Sequence, residues 1–158
     1  MTIKRTYYID APIEAVFEVL TAVKEIEPEM MHVYDVKETK DGVGTTFSWD
    51  FKIAGRKIFS GFEVYTDVVP NKRLVERSAG FLSATWVTTF AVQGKGTNVT
   101  MEVSPEGLWR FPPLVQLFEV VFSRRGLTMM PVFEKKAQAL ARRKARKAAP
   151  RPKTAAAH

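Results

Sequence analysis

The chain has 158 residues, 46% hydrophobic and 26% charged, which is enough for one buried core and too apolar for wholesale disorder. It contains no cysteine, which excludes disulfide scaffolds, thiolate nucleophiles, zinc ribbons and iron–sulfur clusters. The net charge of +7 is unevenly placed: from Glu134 onward nine basic residues face one acid, whereas residues 1–133 hold 15 basic and 16 acidic ones. The basic character thus belongs to a C-terminal extension of an electrically neutral body and says nothing about what the body itself binds.

The opening MTIKRTYYIDAP has no apolar segment behind a basic start, so no secretory signal is expected and the expected location is cytoplasmic. Residues 2–9 are β-branched and aromatic and read as a strand. Asp10-Ala11-Pro12 suits a helix start, and Ile13, Val16, Phe17 and Leu20 recur at helical spacing, predicting a short amphipathic helix over 12–23. The acidic stretch 25–31, with Pro28, leads into a strand at 32–38.

From Gly42 the period becomes two. TFSWDFKI places Phe47, Trp49, Phe51 and Ile53 on one side and Thr46, Ser48, Asp50 and Lys52 on the other, the pattern of a one-sided antiparallel strand. A turn at 54–57 precedes a second strand in which Ile58, Phe62, Val64 and Val68 form the apolar side. Further strands are predicted at 73–79, 82–92 and 97–103, punctuated by Pro70-Asn71-Lys72, Gly80 and Gln93-Gly94-Lys95-Gly96.

After Pro105-Glu106-Gly107 the period returns to about 3.6. Gly126 and Pro131 interrupt this region, and an interior proline costs about 3 kcal/mol. The expectation is a helix near 113–123, a break or bend, and a longer helix over 128–146. The apolar run 111–122 contains Gln116 and Glu119 and is short of the roughly 20 residues that span a bilayer. Residues 148–158 lack large apolar side chains and read as a basic flexible tail beyond a domain of 1–147. The order of elements, without alternating β-α units, argues for an α+β domain.

This order, together with Ile9-Asp10-Ala11-Pro12-Ile13-Glu14-Ala15-Val16-Phe17, Val68-Val69-Pro70-Asn71-Lys72-Arg73-Leu74 and Gly96-Thr97-Asn98-Val99-Thr100, resembles the START-like helix-grip superfamily, which includes polyketide cyclase/dehydrase-like proteins and pollen-allergen relatives. The resemblance covers about residues 2–141. It implies a curved antiparallel sheet of about seven strands around a long C-terminal helix. It further implies a hydrophobic cavity between them, used for lipids, sterols or polyketides and in some members for catalysis. It supplies no catalytic motif to carry over.

On that basis Phe47, Trp49, Phe51, Phe62, Val64, Trp86, Phe90, Met101, Phe118, Phe122 and Met129 are expected to converge on the ligand, since such pockets are mostly apolar and methionine adapts to irregular guests. His32, next to a predicted strand start, is the one interior candidate for proton transfer, the alternative being a partly exposed histidine at an element boundary. Asp50 lies on the polar side of its strand, while Glu76, alternating with Leu74 and Ser78, is undecided. The pairs Gly42/Gly44 and Gly94/Gly96 lack a third glycine, and neither a phosphate loop nor a Gly-x-Ser-x-Gly elbow occurs, so no cofactor is expected. Glu25, Glu27 and Glu29, spaced by two, point apart, and no metal site is expected.

Three readings of function stay open at this point. One is a carrier that binds or sequesters a hydrophobic small molecule, another a cyclase or dehydrase using the same cavity, and the third an interaction module acting through its basic tail. The tail suits peripheral contact with anionic membranes. Having no aromatic residue after Phe133, it lacks the stacking groups of single-strand binders, so nucleic acid is not an expected partner. The oligomeric state is not readable.

Overall fold

The computed structural model describes residues 2–25 and 31–150. Strand β1 (Ile3–Ile9) is followed by helix α1 (Ile13–Thr21), a 3-10 turn (Val23–Glu25), and strands β2 (Met31–Lys37), β3 (Thr46–Ile53), β4 (Arg56–Val69), β5 (Arg73–Gly80), β6 (Ala84–Gln93) and β7 (Gly96–Pro105). A second 3-10 turn (Gly107–Arg110) leads into helix α2 (Pro112–Ala148). The seven strands form one antiparallel sheet in the order β1-β7-β6-β5-β4-β3-β2. The predicted strands all form, and the α+β arrangement of a curved sheet gripping a long, bent C-terminal helix is present.

Hairpin chemistry sets the registers. Ala54 and Gly55 both take positive φ (49° and 76°), the two-residue turn whose twist matches that of flanking strands, and Ile53 pairs with Arg56 across it. In β3 the alternation is as predicted: Phe47, Trp49 and Phe51 are buried beneath α2, whereas Ile53 is exposed at the hairpin end. Strand β4 departs from expectation. A bulge between Tyr65 and Asp67 shifts its register, so that Phe59, Gly61, Glu63 and Tyr65 face the core before the bulge and Val68, opposite buried Leu74, faces it afterwards.

Helix α2 is continuous over 37 residues rather than broken near Gly126 and Pro131. Val115, Phe118, Phe122, Gly126, Met130, Phe133, Ala137 and Leu140 make one buried stripe at spacings of three and four. Pro131 lies on the exposed side of the helix, where the carbonyl it leaves unpaired can meet water. Gly126 is a close-approach residue: a Cβ there would lie 1.9 Å from the Tyr7 hydroxyl of β1 and 2.6 Å from its Cζ. Nearby, Arg5 pairs with Glu119 at 2.7 Å and donates to Ser123 Oγ at 3.2 Å. Further along, Glu134 accepts from the Asp10 backbone N–H and Gln138 donates to the Asp10 carbonyl, both at 3.0 Å, and Lys144 pairs with Glu18. These contacts fix α2 along β1 and α1.

The basic extension is accordingly no appendage at its start. Lys135 to Lys147 belong to α2, sharing turns with the core residues Phe133, Ala137 and Leu140. Of the tail expected over 148–158, residues 151–158 lie outside the described residues, as does most of the acidic stretch 25–31. Among the described residues no helix is long and apolar enough to cross a membrane.

The Gly126 contact gives a stability prediction. Replacing an interior helical glycine by alanine gains about 1 kcal/mol of helix propensity. Overpacking a close contact costs about 1–3 kcal/mol, and the rigid Tyr7 ring cannot give way at its far end alone. Gly126→Ala should therefore lower the stability measured by urea unfolding, by about 1 kcal/mol net. Tyr7→Phe, which removes a buried hydroxyl with no partner, should leave stability equal or higher and soften the effect of Gly126→Ala in the double variant.

Candidate functional site: the concave face of the sheet

Two groups of core residues flank the sheet–helix interface. The larger gathers Phe47, Trp49, Phe51, Tyr65, Leu74 and Phe90 with Val16 and Val19 of α1 and Met130, Phe133 and Leu140 of α2. The smaller joins Ile3, Ala84 and Val103 to Val115, Phe118 and Phe122. Leu82 and Met101 pack against both. The closest backbone approaches of α2 are to α1, β1 and the turn before it. Over β3, β4 and β5 the helix is met through side chains, Met130, Phe133 and Leu140 packing with Phe47, Trp49, Phe51, Tyr65 and Leu74.

The centre of that concave face is polar. Across β4 and β5, Tyr65 stands opposite Glu76 and Glu63 opposite Ser78; across β5 and β6, Glu76 stands opposite Trp86, and Ser78 opposite Ala84. The Trp86 indole N–H donates to Ser78 Oγ at 3.0 Å, and Ser78 donates to the Ala84 carbonyl at 3.2 Å. Trp86 also packs against Phe118 and Phe122, with ring centroids 5.8 and 5.6 Å away. Trp49 lies over Gly61, where a Cβ would come within 2.2 Å of its Cζ2, so the glycine makes room for the indole.

Among the described residues, three buried polar atoms have no hydrogen-bond partner: Tyr7 Oη, Trp49 Nε1 and Tyr65 Oη. All three side chains belong to the concave face. Burial pushes the Tyr65 phenol far above its ordinary range, and the carboxylates of Glu76, Glu63 and Glu38 add to the shift. Burial likewise raises the Glu76 carboxyl well above the usual carboxylate range, with Glu63 pushing in the same direction. The middle of the sheet therefore sets a carboxyl and a phenol, each pushed toward its protonated form, at directly opposing register positions.

Nine of the eleven residues expected around the ligand lie on the core side: Phe47, Trp49, Phe51, Trp86, Phe90, Met101, Phe118, Phe122 and Met129. Phe62 and Val64 do not. They pair with Ser48 and Thr46 on the outer face, and Phe62 is 43% exposed. His32 also lies outside, opposite Asp50 in the register that turns Met31 and Val33 inward, with its ring stacked on Tyr34 at 5.8 Å. Asp50 faces outward as its polar strand side predicts, accepting from Tyr34 Oη at 3.2 Å and from Lys57 Nζ at 3.0 Å. The Lys57 bond holds the Asp50 carboxyl below its usual range. Glu76, undecided on its sequence pattern, lies on the inner face with Leu74 and Ser78, and Glu63, Tyr65 and Ser78 are inner-face groups that the pattern does not single out.

Two concavities open elsewhere on the surface. One, of about 520 Å³, lies on the outer face between Asp35, Val36, Lys37, Thr46, Ser48 and Phe62. The other, of about 450 Å³, lies at the end of β7, beside Glu106 and Arg110.

No family model matches the chain, and no curated protein matches it significantly. Solved structures do resemble it. Ara h 8.0201 superposes with a TM-score of 0.68 at 12% identity, covering 88% of this chain and 98% of its own. The Zhui aromatase/cyclase from a Streptomyces species gives 0.65 at 14% identity, covering 87% and 93%. A protein from Thermus thermophilus gives 0.65 at 18% identity, covering 89% and 99%.

The inner-face carboxyl makes stability depend on pH in a defined direction. The unfolded chain releases the Glu76 proton in the ordinary carboxylate range, whereas the fold holds it to higher pH. Its contribution is therefore fully present in acid and is lost as the pH rises through the folded value. Glu76→Gln should match wild type near pH 4 and exceed it increasingly toward pH 8 in thermal unfolding. A difference that does not vary with pH would contradict the placement of Glu76 in a desolvated setting. On element order, sheet topology and these superpositions, the chain has the helix-grip fold.

Proposed function

We propose that this protein binds a hydrophobic small molecule between the concave face of its sheet and α2, as a carrier or sequestering protein. The observation that carries this reading is the composition of that face: buried aromatics on β3 and β6 flank polar groups on β4 and β5. Ligand sites are mostly apolar with a few placed polar groups, and this face has that make-up. The resemblance in fold to an aromatase/cyclase supports a small-molecule role at the level of the fold alone.

A catalytic version, in which the same face orients a polyketide-like substrate, would take its proton-moving group from Glu63 or Glu76, because His32 lies on the opposite face. The substitution Met129→Trp tests binding in either version. If a guest occupies this space, the added bulk displaces it, weakening binding of the apolar probe N-phenyl-1-naphthylamine about tenfold or more while unfolding stability changes little. If the space is an ordinary filled core, the substitution instead costs stability by about 1–3 kcal/mol and probe binding is absent in both proteins.

We also propose that the protein meets anionic membrane surfaces through α2. Leu117, Val120, Val121 and Leu127 are exposed on this helix, Leu127 by 71%, and the cations from Lys135 to Lys147 follow on its last turns. Truncation after Leu140 should reduce binding to vesicles of mixed phosphatidylserine and phosphatidylcholine several-fold and leave binding of the apolar probe unchanged. Vesicle binding that persists after truncation would assign the contact to the exposed apolar residues of α2 instead.

A further inference from the structure

The inference here rests on the reading that a guest lies between the sheet and α2, and it concerns what that guest must carry. The polar groups at the centre of the concave face are not equivalent. Ser78 is already engaged, accepting from the Trp86 indole and donating to the Ala84 carbonyl. Tyr65 and Trp49 are only 3% and 4% exposed, yet the Tyr65 hydroxyl and the Trp49 N–H have no partner among the described residues. An indole N–H can only donate, and a buried donor left unmet is a standing cost that an incoming acceptor removes.

Glu76 stands directly opposite Tyr65 in the β4–β5 register and remains partly accessible. In the protonated form that burial favours, its carboxyl presents an O–H donor as well as an acceptor. We infer that Glu76 and Tyr65 form the polar end of the site and select an apolar guest that presents a hydrogen-bond-accepting carbonyl oxygen there, with the Trp49 N–H as a further donor.

The donor inventory argues against the alternatives. A pure hydrocarbon leaves all three donors unmet. An amine adds donors where donors already lack partners, and as a cation it requires Glu76 to ionise beside Glu63 in a desolvated setting. A carbonyl oxygen satisfies donors without bringing a charge out of water.

The test uses three probes on one tricyclic skeleton, namely fluorene, fluorenone and 2-aminofluorene, with affinities measured by equilibrium dialysis at pH 7. The native protein should bind fluorenone about tenfold more tightly than fluorene, the gain expected of one well-made buried hydrogen bond. Glu76→Gln keeps an N–H donor and should retain most of that preference. Glu76→Leu should bring the two affinities within about twofold by weakening fluorenone alone. Equal binding of fluorenone and fluorene by the native protein would overturn this inference and leave guest binding standing. So would a preference for the amine, or a fluorenone preference that survives in Glu76→Leu. Failure of all three probes to bind would overturn the binding reading itself. The native comparison decides the matter even if a Glu76 variant does not fold.

Discussion

The arrangement depends on where α2 can and cannot approach the sheet. Its buried stripe runs from Val115 to Leu140, and at Gly126 the absence of a side chain lets it rest on the Tyr7 hydroxyl of β1. Arg5 with Glu119, and the Asp10 backbone with Glu134 and Gln138, hold the helix to that edge of the molecule. Held there, the helix reaches β3, β4 and β5 through Met130, Phe133 and Leu140, which pack in one cluster with Phe47, Trp49, Phe51, Tyr65 and Leu74. The same face of the sheet carries Glu63 and Glu76 at its middle. One close contact and one shared cluster thus place both the core and the candidate site.

Much of this was legible in the chain, and the departures have local causes. The strand β3 pattern could be read directly because Phe47, Trp49 and Phe51 alternate with polar residues without interruption. Strand β4 was misassigned because one extra residue near Thr66 reverses which parity faces inward, and because its inward positions carry Glu63 and Tyr65 while Phe62 and Val64 sit outside. A period-two pattern cannot reveal a bulge when both faces carry apolar residues. At His32 the reading as a partly exposed boundary histidine holds, because whether a residue near a strand start faces in or out follows from its partner, here Asp50. Gly126 and Pro131 suggested a break in the helix, but one is required by a neighbour's approach and the other sits on the solvent side.

The same reasoning separates fold from function. The fold agrees with those of Ara h 8.0201 and the Zhui aromatase/cyclase, at identities of 12% and 14%, and a likeness at that level carries no activity with it. What distinguishes this chain is the chemistry lining its concave face: a carboxyl raised by burial opposite a phenol without a partner, set among tryptophan and phenylalanine. The basic residues add a second character on the far half of α2, continuous with the core through Phe133, Ala137 and Leu140, so interior and surface properties meet on one element.

The central claim is that the guest enters between sheet and helix and not on the outer face. Two-dimensional NMR of protein labelled at tryptophan, histidine and phenylalanine, recorded during titration with an apolar probe, tests it most directly. The account predicts that the indole resonances of Trp49 and Trp86 move with saturation while His32 and Phe62 stay in place. Shifts confined to His32, Phe62 and the outer groove, with Trp49 and Trp86 unmoved, would contradict it.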